Sequence, residues 1–549
     1  MIKPDLWIPA NNLTLEPNAL TAAKEQYSSL ALTAGPGAGK TEMLAQKADF
    51  LLQTGVCPYP KRILAISFKT DASSNLKERV KLRCGSNLSR RFDSFTFHAF
   101  AKRIIDKYRV LLTDLDELEP NYSVGKERVH KKQIDFDSLV PFALQIINTS
   151  SIVRKSILQT YSDVFLDEFQ DCTDKQYELI KSIFYNSNIK LTAVGDTKQK
   201  IMGWAGALEG IFLSFTADFN AQPLNMYRNF RSKPKLLRLQ NEIIRNLDPD
   251  SVMAEDLIIG NEGSIFHESF SNSSDEAEYL SNLIQQWIVD EHIPPSEIAI
   301  LVSRQIEHYA FDLMTALKAK EIPFRNEQSM QDISTEPVAR LIINYLLCLY
   351  GSRNPTSWTK VNELLSPFDI DEQTRISTLR DFNNFFKEQK KKLLTGDYQQ
   401  PIESWFDAAK ALLKHLGSST LIALSPEYES QSYLIDVIKQ LKIIINDFLS
   451  QEADLLKALN SFDHDETVKL LTIHKSKGLE FHSVILLGIE NETFWGQLEN
   501  ERCAFFVGVS RAKERLILTE SRQRPLNSPP RGWRTSRNPH HEFFSYRVD

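Results

Sequence analysis

The sequence has few cysteines, and they are scattered. Its 549 residues include five, and no two of them show the CxxC spacing of a zinc site. An odd, sparse set predicts neither a metal site nor a disulfide framework, and it is typical of a reducing compartment. No repeat with a fixed period is visible either.

Long hydrophobic runs and an excess of positive charge are also missing. The longest apolar stretches, such as 341–350, are shorter than the ~20 residues that span a bilayer, and the N-terminal segment lacks the apolar core of a signal sequence. We therefore expect a cytoplasmic protein with no membrane partner. The 65 basic residues face 71 acidic ones, a net charge of −6. This balance argues against a protein that holds nucleic acid by bulk charge, but it leaves room for a local basic channel.

The remaining composition is that of an ordinary globular protein. Apolar residues make up 42% and charged residues 25% of the chain, which excludes collagen-like, coiled-coil and wholly disordered chains. The length predicts roughly three to four domains at ~100–200 residues each. A single core is excluded because cores stop growing at about 250–300 residues.

Strands alternate with helices in two series. The strand-like segments of the first series are 29–35, 62–68, 92–96, 163–166 and 190–194, and those of the second are 297–302, 468–473 and 483–488. This alternation predicts an α/β fold with parallel sheets that are covered by helices on both faces. Two mostly helical regions interrupt the series, so we expect two α/β cores with one helical insertion each.

These patterns predict the domain boundaries. They are 1–100 and 161–216 for the first core, 101–160 for its reduced insertion, 217–334 and 464–521 for the second core, 335–463 for its insertion, and 522–549 for a C-terminal tail. The tail contains four prolines, and we expect it to be poorly ordered.

A glycine-rich loop lies between the first strand and the helix predicted for 41–52. It reads AGPGAGKT from Ala34 to Thr41, and its small residues are Gly35, Gly37, Ala38 and Gly39. Glycines let backbone N–H groups approach phosphate oxygens, and the following helix N-terminus favours negative charge. In a phosphate-binding loop, Lys40 reaches the β- and γ-phosphates of a nucleotide and Thr41 ligates Mg²⁺. Because Ala34 replaces the usual glycine, the alternative is an incidental glycine-rich turn.

An acidic pair follows a later apolar strand. The segment VFLDEFQD ends its strand at Asp167, and Glu168 comes next. Alone, such a pair is usually part of a solvated loop. Together with the phosphate loop it indicates phosphoryl transfer, in which Asp167 holds Mg²⁺ and Glu168 orients and deprotonates the attacking water.

Together, GPGAGKT, DEFQD and VGDTKQKIMGWAGA (194–207) resemble the UvrD/PcrA/Rep-type superfamily 1 helicases. Further similar segments occur in that family's order: SFKTDAS (67–73), TFHAF (96–100), NFRS (229–232), LLTIHKSKGLEF (470–481) and FFVGVSRAKERL (505–516). The resemblance covers about residues 13–520 but is weak in the insertions. It implies two RecA-like cores that bind ATP and Mg²⁺ in a cleft between them, with DNA as the substrate.

The resemblance also implies roles around the nucleotide. Gln199 is implied to sense the γ-phosphate. Arg231 and Arg511 are implied to reach across the cleft from the second core, where an arginine finger is worth ~10³–10⁵ in rate. The other residues implied to line the nucleotide are Glu42, Phe230, Gly478 and Glu480.

Contacts with single-stranded DNA are implied in the same way. Aromatic side chains stack on bases without regard to sequence, although a lone Phe or Trp is more often part of a core. The implied residues are Phe68, Thr96, His98, Trp204, His474 and Lys475. Lys475 and Lys477 either contact the phosphate backbone of DNA or are ordinary solvated lysines.

Several positions depart from the family pattern. Glu42 stands where the family has an arginine that stacks on the base, and Ala205 replaces another arginine. Asn18 stands where the family's adenine-reading glutamine is expected, with Gln26 as the alternative candidate. The cation–π partner of the base is therefore lost, and nucleotide selectivity should be looser.

The segment 490–501 is short where larger helicases of this type have a strand-separating hairpin. Phe494 and Trp495 form either a smaller wedge or an ordinary apolar turn. We therefore expect an ATP-driven motor that moves 3′→5′ on single-stranded DNA or a tailed duplex. The alternative is an ATP- and DNA-binding regulatory subunit that unwinds little, paired with a nuclease subunit as in anti-phage systems such as Gabija. A P-loop ATPase that acts on something other than nucleic acid is a third interpretation.

Overall fold

The computed structural model forms two compact units. The first comprises Met1–Phe97, Ser150–Gln328 and Glu466–Asp549, and the second comprises His98–Thr149 and Ser329–Asp465. The structure describes residues 2–68, 70–125, 127–199, 210–327, 333, 336–365, 372–395, 401–425, 428, 431–451, 454–460, 462 and 466–546.

Strands and helices alternate through most of the described chain. The strands are β1 (Leu30–Ala34), β2 (Arg62–Ser67), β3 (Phe92–Thr96), β4 (Leu118–Gly125), β5 (Lys131–Asp135), β6 (Tyr161–Asp167), β7 (Lys190–Gly195), β8 (Gln222–Met226), β9 (Ser264–Phe270), β10 (Ile298–Val302), β11 (Phe324–Asn326), β12 (Val468–Thr472), β13 (Phe481–Leu486) and β14 (Ala512–Ser521). The helices are α1 (Pro17–Lys24), α2 (Lys40–Thr54), α3 (Thr70–Leu88), α4 (Phe97–Tyr108), α5 (Leu139–Thr149), α6 (Ser151–Thr160), α7 (Asp174–Phe184), α8 (Ile211–Phe219), α9 (Pro234–Leu247), α10 (Ser273–Val289), α11 (Ile306–Tyr309), α12 (Phe311–Ala319), α13 (Pro337–Tyr350), α14 (Pro355–Leu365), α15 (Glu372–Thr395), α16 (Pro401–Leu424), α17 (Gln431–Gln451), α18 (Leu455–Asn460), α19 (Leu498–Val509) and α20 (His541–Ser545).

The first core is a parallel sheet in the order β3–β2–β6–β7–β1–β8. Its central strands are buried along nearly their whole length, as expected when helices cover both faces of a parallel sheet. The predicted α/β class and the first series of strands are confirmed. Strand β8 was not predicted, because QPLNM has no alternating or continuous apolar pattern.

The pairing of β8 corrects one predicted boundary. Leu30 to Ala34 of β1 face Gln222 to Met226 in register, so the first core runs through Met226 and does not end at 216. A second boundary also moves. Helix α6 packs on β6 and α7, so the first insertion ends at Thr149 rather than at 160.

The second core is also a parallel sheet, in the order β11–β12–β10–β13–β14–β9. Strand β10 lies between β12 and β13 and is buried throughout. Helices α9 and α19 pack with one face of this sheet, and α10 and α12 with the other. The carboxyl ends of its strands form the edge at which ligands bind in open parallel sheets.

The C-terminal segment 522–546 corrects the expectation of a poorly ordered tail. Phe543 is fully buried in the second core, where its ring stacks on Phe505 at 4.4 Å between centroids. Arg524 donates to Glu490 at 2.7 Å and to Glu276 at 3.1 Å, and all three side chains are buried. These contacts hold the segment to the core, and they outweigh the effect of its prolines.

The second compact unit is made of the two insertions, which pack together. Helix α13 lies at its centre and packs against α14, α16 and α18. Strands β4 and β5 pair with each other, and β4 contacts α17. Phe136 lies against Tyr433, whose hydroxyl donates to Glu336 at 2.5 Å.

Within the described ranges, no single helix is long and apolar enough to cross a membrane. The bent pair Phe136–Thr149 and Ser151–Thr160 meets that length and composition only when the two helices are taken together.

Candidate active site

The glycine-rich loop connects β1 to α2 at the carboxyl end of the first sheet. Gly37 and Gly39 have φ values of +70° and +83°, which favour glycine. Lys40 is the first residue of α2, and its ammonium donates to the carbonyl oxygens of Ala34 at 3.1 Å and Gly35 at 3.3 Å. The first turn of α2 has free N–H groups at its N-terminus, as a phosphate cradle needs.

A segment of the second core lies directly on this loop. The N–H of Phe230 donates to the carbonyl of Gly37 at 3.0 Å. A Cβ on Gly37 would lie 2.4 Å from Oδ1 of Asn229 and 2.6 Å from Cβ of Arg231. The loop therefore tolerates only glycine at 37, and residues 229–231 of the NFRS segment form one wall above it.

The acidic pair lies at the end of β6, in the same sheet as the loop. Asp167 is buried, and its Oδ1 accepts the N–H of Glu168 at 3.0 Å. Burial, followed by the charge of Glu168, raises the pKa of Asp167 to about 7 despite the nearby ammonium of Lys40. The carboxyl group thus has less positive charge around it than it needs to stay ionised in a buried site.

Lys477 of the second core reaches the acidic pair. Its ammonium donates to Oδ2 of Asp171 at 2.5 Å and to the carbonyl of Gln199 at 3.2 Å, and it lies 3.7 Å from Oε2 of Glu168. Burial lowers the pKa of Lys477, but the charges of Glu168 and Asp171 raise it more, so the net shift is upward. Lys477 is only 8% exposed, so the readings of this lysine as a DNA phosphate contact or a solvated side chain are corrected.

Gln199 belongs to a hydrogen-bonded chain that also crosses between the cores. Its Nε2 donates to Asp196 at 2.9 Å, and its Oε1 accepts Nη2 of Arg511 at 3.1 Å. The N–H of Asp196 donates to Gln170 at 2.9 Å, and Gln170 donates to Glu168 at 2.5 Å. This chain connects Arg511 of the second core to the carboxylate of Glu168 through residues of the first core.

The two predicted arginines have different partners. Arg511 is 1% exposed, and burial together with the charge of Arg231 lowers its pKa to about 9. Arg231 donates from Nε to Glu480 at 2.8 Å and from Nη1 to the carbonyl of Ser510 at 3.0 Å. Arg511 therefore touches the first core directly, whereas the guanidinium of Arg231 is held by its own core and only its Cβ lies over the loop. Gly478, between Lys477 and Glu480, has a φ of +93°.

The donors near the loop fit a magnesium ion that also binds phosphate. Thr41 supplies a hydroxyl and Asp167 a buried carboxylate whose raised pKa indicates missing positive charge. Mg²⁺ commonly takes one or two protein ligands and completes its shell with phosphates and water. Among the described residues, no group of three or more His, Cys, Asp or Glu side chains is arranged to hold a metal ion by itself.

Glu42 has a different environment from that of a base-stacking residue. Its two carboxylate oxygens accept a bidentate pair from Arg83 at 2.8 and 2.9 Å, and Oε1 also accepts from Gln46 at 2.8 Å. Burial raises the pKa of Glu42, but these hydrogen bonds lower it more. Asn18 donates to the carbonyl of Asn225 at 2.6 Å, which leaves its side-chain oxygen for another donor.

Phe230 is 55% exposed, and the guanidinium of Arg228 lies 5.1 Å from its ring centre. An exposed ring beside the phosphate loop is compatible with stacking on a base.

The candidate DNA contacts fall in different parts of the molecule. Phe68 and Thr96 lie at the carboxyl ends of β2 and β3, where Ser67 faces both Thr96 and Asp167 in register. His474 and Lys475 follow β12 in the same turn as Lys477. In the second unit, His98 lies edge-on to Phe136 at 6.2 Å, and burial lowers its pKa more than the charge of Asp137 raises it. Trp204 and Ala205 lie outside the described residues.

The two adjacent aromatic residues of the turn 490–497 that could form a wedge lie in different environments. Phe494 is 6% exposed and lies edge-on to Phe543 in the second core, at 5.1 Å between centroids. Trp495 is 70% exposed, and the guanidinium of Arg304 lies 4.2 Å from its ring centre. Phe494 is thus a core residue, and only Trp495 is available to a ligand.

Sequence reasoning missed the buried polar partners of the site. These partners are Gln170, which donates to Glu168, Asp171, which accepts from Lys477, and Asp196, which accepts from Gln199. Lys477 was given other roles. The only signal for them was their position inside DEFQD, VGD and HKSKGLEF, next to residues that were singled out.

Comparisons with known proteins agree across the chain. The model of the UvrD/REP helicase N-terminal domain matches residues 15–129 and 122–220, and that of the UvrD-like helicase C-terminal domain matches residues 224–369 and 368–523. The chain is 24% identical to the ATP-dependent DNA helicase PcrA of Leuconostoc citreum, over 92% of this chain and 81% of the relative. It is 24% identical to PcrA of Bacillus subtilis, over 97% and 85%. It is also 24% identical to DNA helicase II of Escherichia coli, over 91% and 83%.

Proposed function

Because the chain belongs to the family of UvrD-like helicases, we propose that it is an ATP-dependent DNA helicase that moves 3′→5′ along single-stranded DNA. Its substrates are Mg-ATP and either single-stranded DNA or a tailed duplex. The general activity follows from the family, and the direction rests on the resemblance of its motifs.

The observation that supports this proposal most strongly is the sharing of one site by two cores. Arg511 of the second core donates to Gln199 of the first, and Lys477 of the second core donates to Asp171 of the first. A nucleotide at the phosphate loop would contact both cores at once. Its binding and hydrolysis can therefore change the contact between them, which is what a translocating motor requires.

Each group at the site has a role in hydrolysis. Lys40 and the loop N–H groups hold the phosphates, and Glu168 orients the attacking water and accepts its proton. Arg511 and Arg231 stabilise the charge on the transferred phosphoryl group. Bound at Asp167 and Thr41, Mg²⁺ supplies neutralising charge on the phosphates.

The proposed DNA contacts lie at the carboxyl ends of strands that are close to the nucleotide site. Phe68 and Thr96 follow β2 and β3, and β2 pairs with the strand that carries Asp167. On the second core, His474 and Lys475 precede Lys477 by three and two residues, respectively. A change in the contact between the cores would therefore move two short segments that grip the strand, and stacking by Phe68 tolerates any base.

The test is the ATP hydrolysis rate with and without a single-stranded oligonucleotide. We expect DNA to stimulate the wild type, and we expect Lys40→Ala and Glu168→Gln to abolish that activity. The exposed Lys318→Ala serves as a matched control and should behave as the wild type. Full activity in both site variants would refute the assignment, and a rate that ignores DNA would refute the DNA-driven motor.

A second candidate function is that of an ATP- and DNA-binding regulatory subunit with little unwinding of its own. It is favoured by the turn 490–497, in which Phe494 is buried and only Trp495 is exposed. Strand displacement on 3′-tailed and 5′-tailed duplexes separates the two candidates. Robust unwinding of the 3′-tailed duplex by the purified chain would exclude the regulatory subunit, and unwinding of the 5′-tailed duplex would reverse the proposed direction.

A further inference from the structure

We propose that the second core carries an additional binding site for single-stranded nucleic acid, built by the C-terminal segment against the turn 490–497. This site, the tail pocket, is defined by Arg304, Trp495, Arg531, Trp533, Arg534 and Arg537. The inference rests on the proposed function, because it takes the strand to be the one on which the motor acts. The tail pocket has a volume of about 480 Å³, within the ~300–1,000 Å³ typical of ligand sites.

The tail pocket lies at the carboxyl edge of the second sheet. Arg304 follows the end of β10, Trp495 lies beyond the end of β13, and the C-terminal segment follows β14. These three strands are consecutive neighbours in the sheet. The carboxyl edge is where open parallel sheets bind their ligands, and the segment 470–481 of the nucleotide site leaves the same edge after β12.

The chemistry of the tail pocket combines arginines with flat aromatic faces. The guanidinium of Arg537 lies 4.2 Å from the ring centre of Trp533, as that of Arg304 does over Trp495. Arg531 and Arg534 are exposed. Positive groups beside aromatic platforms are the usual means of holding a single strand, since the charges follow the phosphates and the rings stack on bases.

Arg537 is the buried arginine of the tail pocket and differs from the exposed ones in its partners. Arg537 is 5% exposed, yet its Nε and Nη2 atoms have no hydrogen-bond partner within the described residues. Its Nη1 donates to the hydroxyl of Tyr309 at 3.2 Å, and its Nε lies 3.8 Å from Glu490, beyond hydrogen-bonding distance. Oε2 of Glu490 likewise has no hydrogen-bond partner within the described residues, so the buried charge of Arg537 is balanced by that carboxylate. The groups left to meet the phosphates of a strand are the exposed Arg531 and Arg534.

The side chains that line the tail pocket include few acidic and few aliphatic groups, which favours a nucleic acid over a protein as the ligand. Among the described side chains that line the tail pocket, only Glu492 is acidic. Its two carboxylate oxygens already accept hydrogen bonds from Asn538 at 3.0 and 3.1 Å. None of those lining residues is Leu, Ile, Val or Met. A surface that docks a protein usually has such anchors or a larger apolar centre.

The first experiment removes the two exposed arginines. Binding of a fluorescent dT20 oligonucleotide is measured by anisotropy for the wild type, Arg531→Ala/Arg534→Ala and the control Lys318→Ala/Arg245→Ala. The control removes two exposed charges from the same core but outside the tail pocket. Each lost phosphate contact reduces the salt slope of log K by about 0.7, so we expect the slope to fall by about 1.4 and the affinity roughly tenfold in the pocket variant only. Equal losses in both variants would indicate bulk charge and overturn the proposal.

The second experiment removes the aromatic face. Trp495→Ala should weaken dT20 binding by roughly tenfold, since stacking on one base contributes that much or more, while its thermal unfolding midpoint stays at the wild-type value because Trp495 is exposed. A dT20 oligonucleotide with photoreactive 4-thiothymidine should crosslink to peptides containing 490–497 or 530–537 in the wild-type protein. Crosslinks confined to other peptides, or full competition by dTMP, would overturn the proposal. A wild type that fails to bind dT20 or to hydrolyse ATP in response to it would instead refute the proposed function.

Discussion

Replacing Lys477 by methionine tests whether the contact between the cores contributes to both stability and catalysis. Methionine keeps the length of the side chain but leaves the buried carboxylate of Asp171 and the nearby Glu168 without their cation. At an effective dielectric constant of ~20, the attraction at 2.5 Å is about 6–7 kcal/mol and that at 3.7 Å about 4–5 kcal/mol. The cost of burying the ions offsets part of this, so we expect a net loss of about 3–5 kcal/mol.

The assay for Lys477→Met is a double-mutant cycle with Asp171→Asn, read by the denaturation midpoint and by the ATP hydrolysis rate. Removing both charges should recover part of the lost stability, because no uncompensated carboxylate remains at 171. The rate should fall at least tenfold in Lys477→Met, since Glu168 loses a group that holds it. The exposed Lys318→Met should change stability by less than ~0.5 kcal/mol. Equal midpoints for the 477 and 318 variants, or strictly additive effects in the cycle, would refute the reasoning.

Four further outcomes follow from the same contacts. Arg524→Ala should lower the free energy of unfolding by about 3–5 kcal/mol, because it removes the hydrogen-bonded cation of buried Glu490 and Glu276; a calorimetric scan measures this. Phe494→Ala should cost about 3–5 kcal/mol by the same scan, because it removes a buried ring from the core. Gly37→Ala should abolish ATP hydrolysis, since its Cβ would meet Asn229 and the positive φ is strained, whereas Gly35→Ala has open space and should retain the fold as seen by circular dichroism. Chelation with EDTA should stop hydrolysis, and added Mg²⁺ should restore it.

The sequence predicted the fold well where strands are continuous apolar runs. LALTA, RILAIS and KLTAV are buried parallel strands, which their short length, their apolar composition and the turn residues beside them predict. It failed for β8, whose sequence QPLNM is polar because it lies at the edge of the sheet, where burial is partial. It also missed β9, β11 and β14 of the second sheet. The tail was misjudged because proline content says nothing about the long-range partners that hold a segment, such as Glu490 for Arg524.

The motifs of the candidate site could be predicted from the sequence, but the contacts between their side chains could not. The phosphate loop and the acidic pair were identified from residue type and spacing, and the family resemblance was confirmed. The partner of each charge was not predictable, because partners such as Lys477 and Asp171 are about 300 residues apart and meet only after both cores have folded. For the same reason, the sequence shows that Glu42 departs from the family pattern but does not show that Glu42 pairs with Arg83.

The burial of Phe543 and Arg524 in the second core has a consequence for biosynthesis. Domains generally fold in order as the chain leaves the ribosome, and the first core is complete once residue 226 has emerged. The second core is incomplete until residues 524–546 have also emerged. Until then it lacks the buried ring of Phe543 and the guanidinium of Arg524 that pairs with Glu490 and Glu276. If the proposed roles hold, the nascent chain in that interval carries a folded phosphate loop before Arg511 has been placed against Gln199, so it would bind nucleotide before it could hydrolyse it.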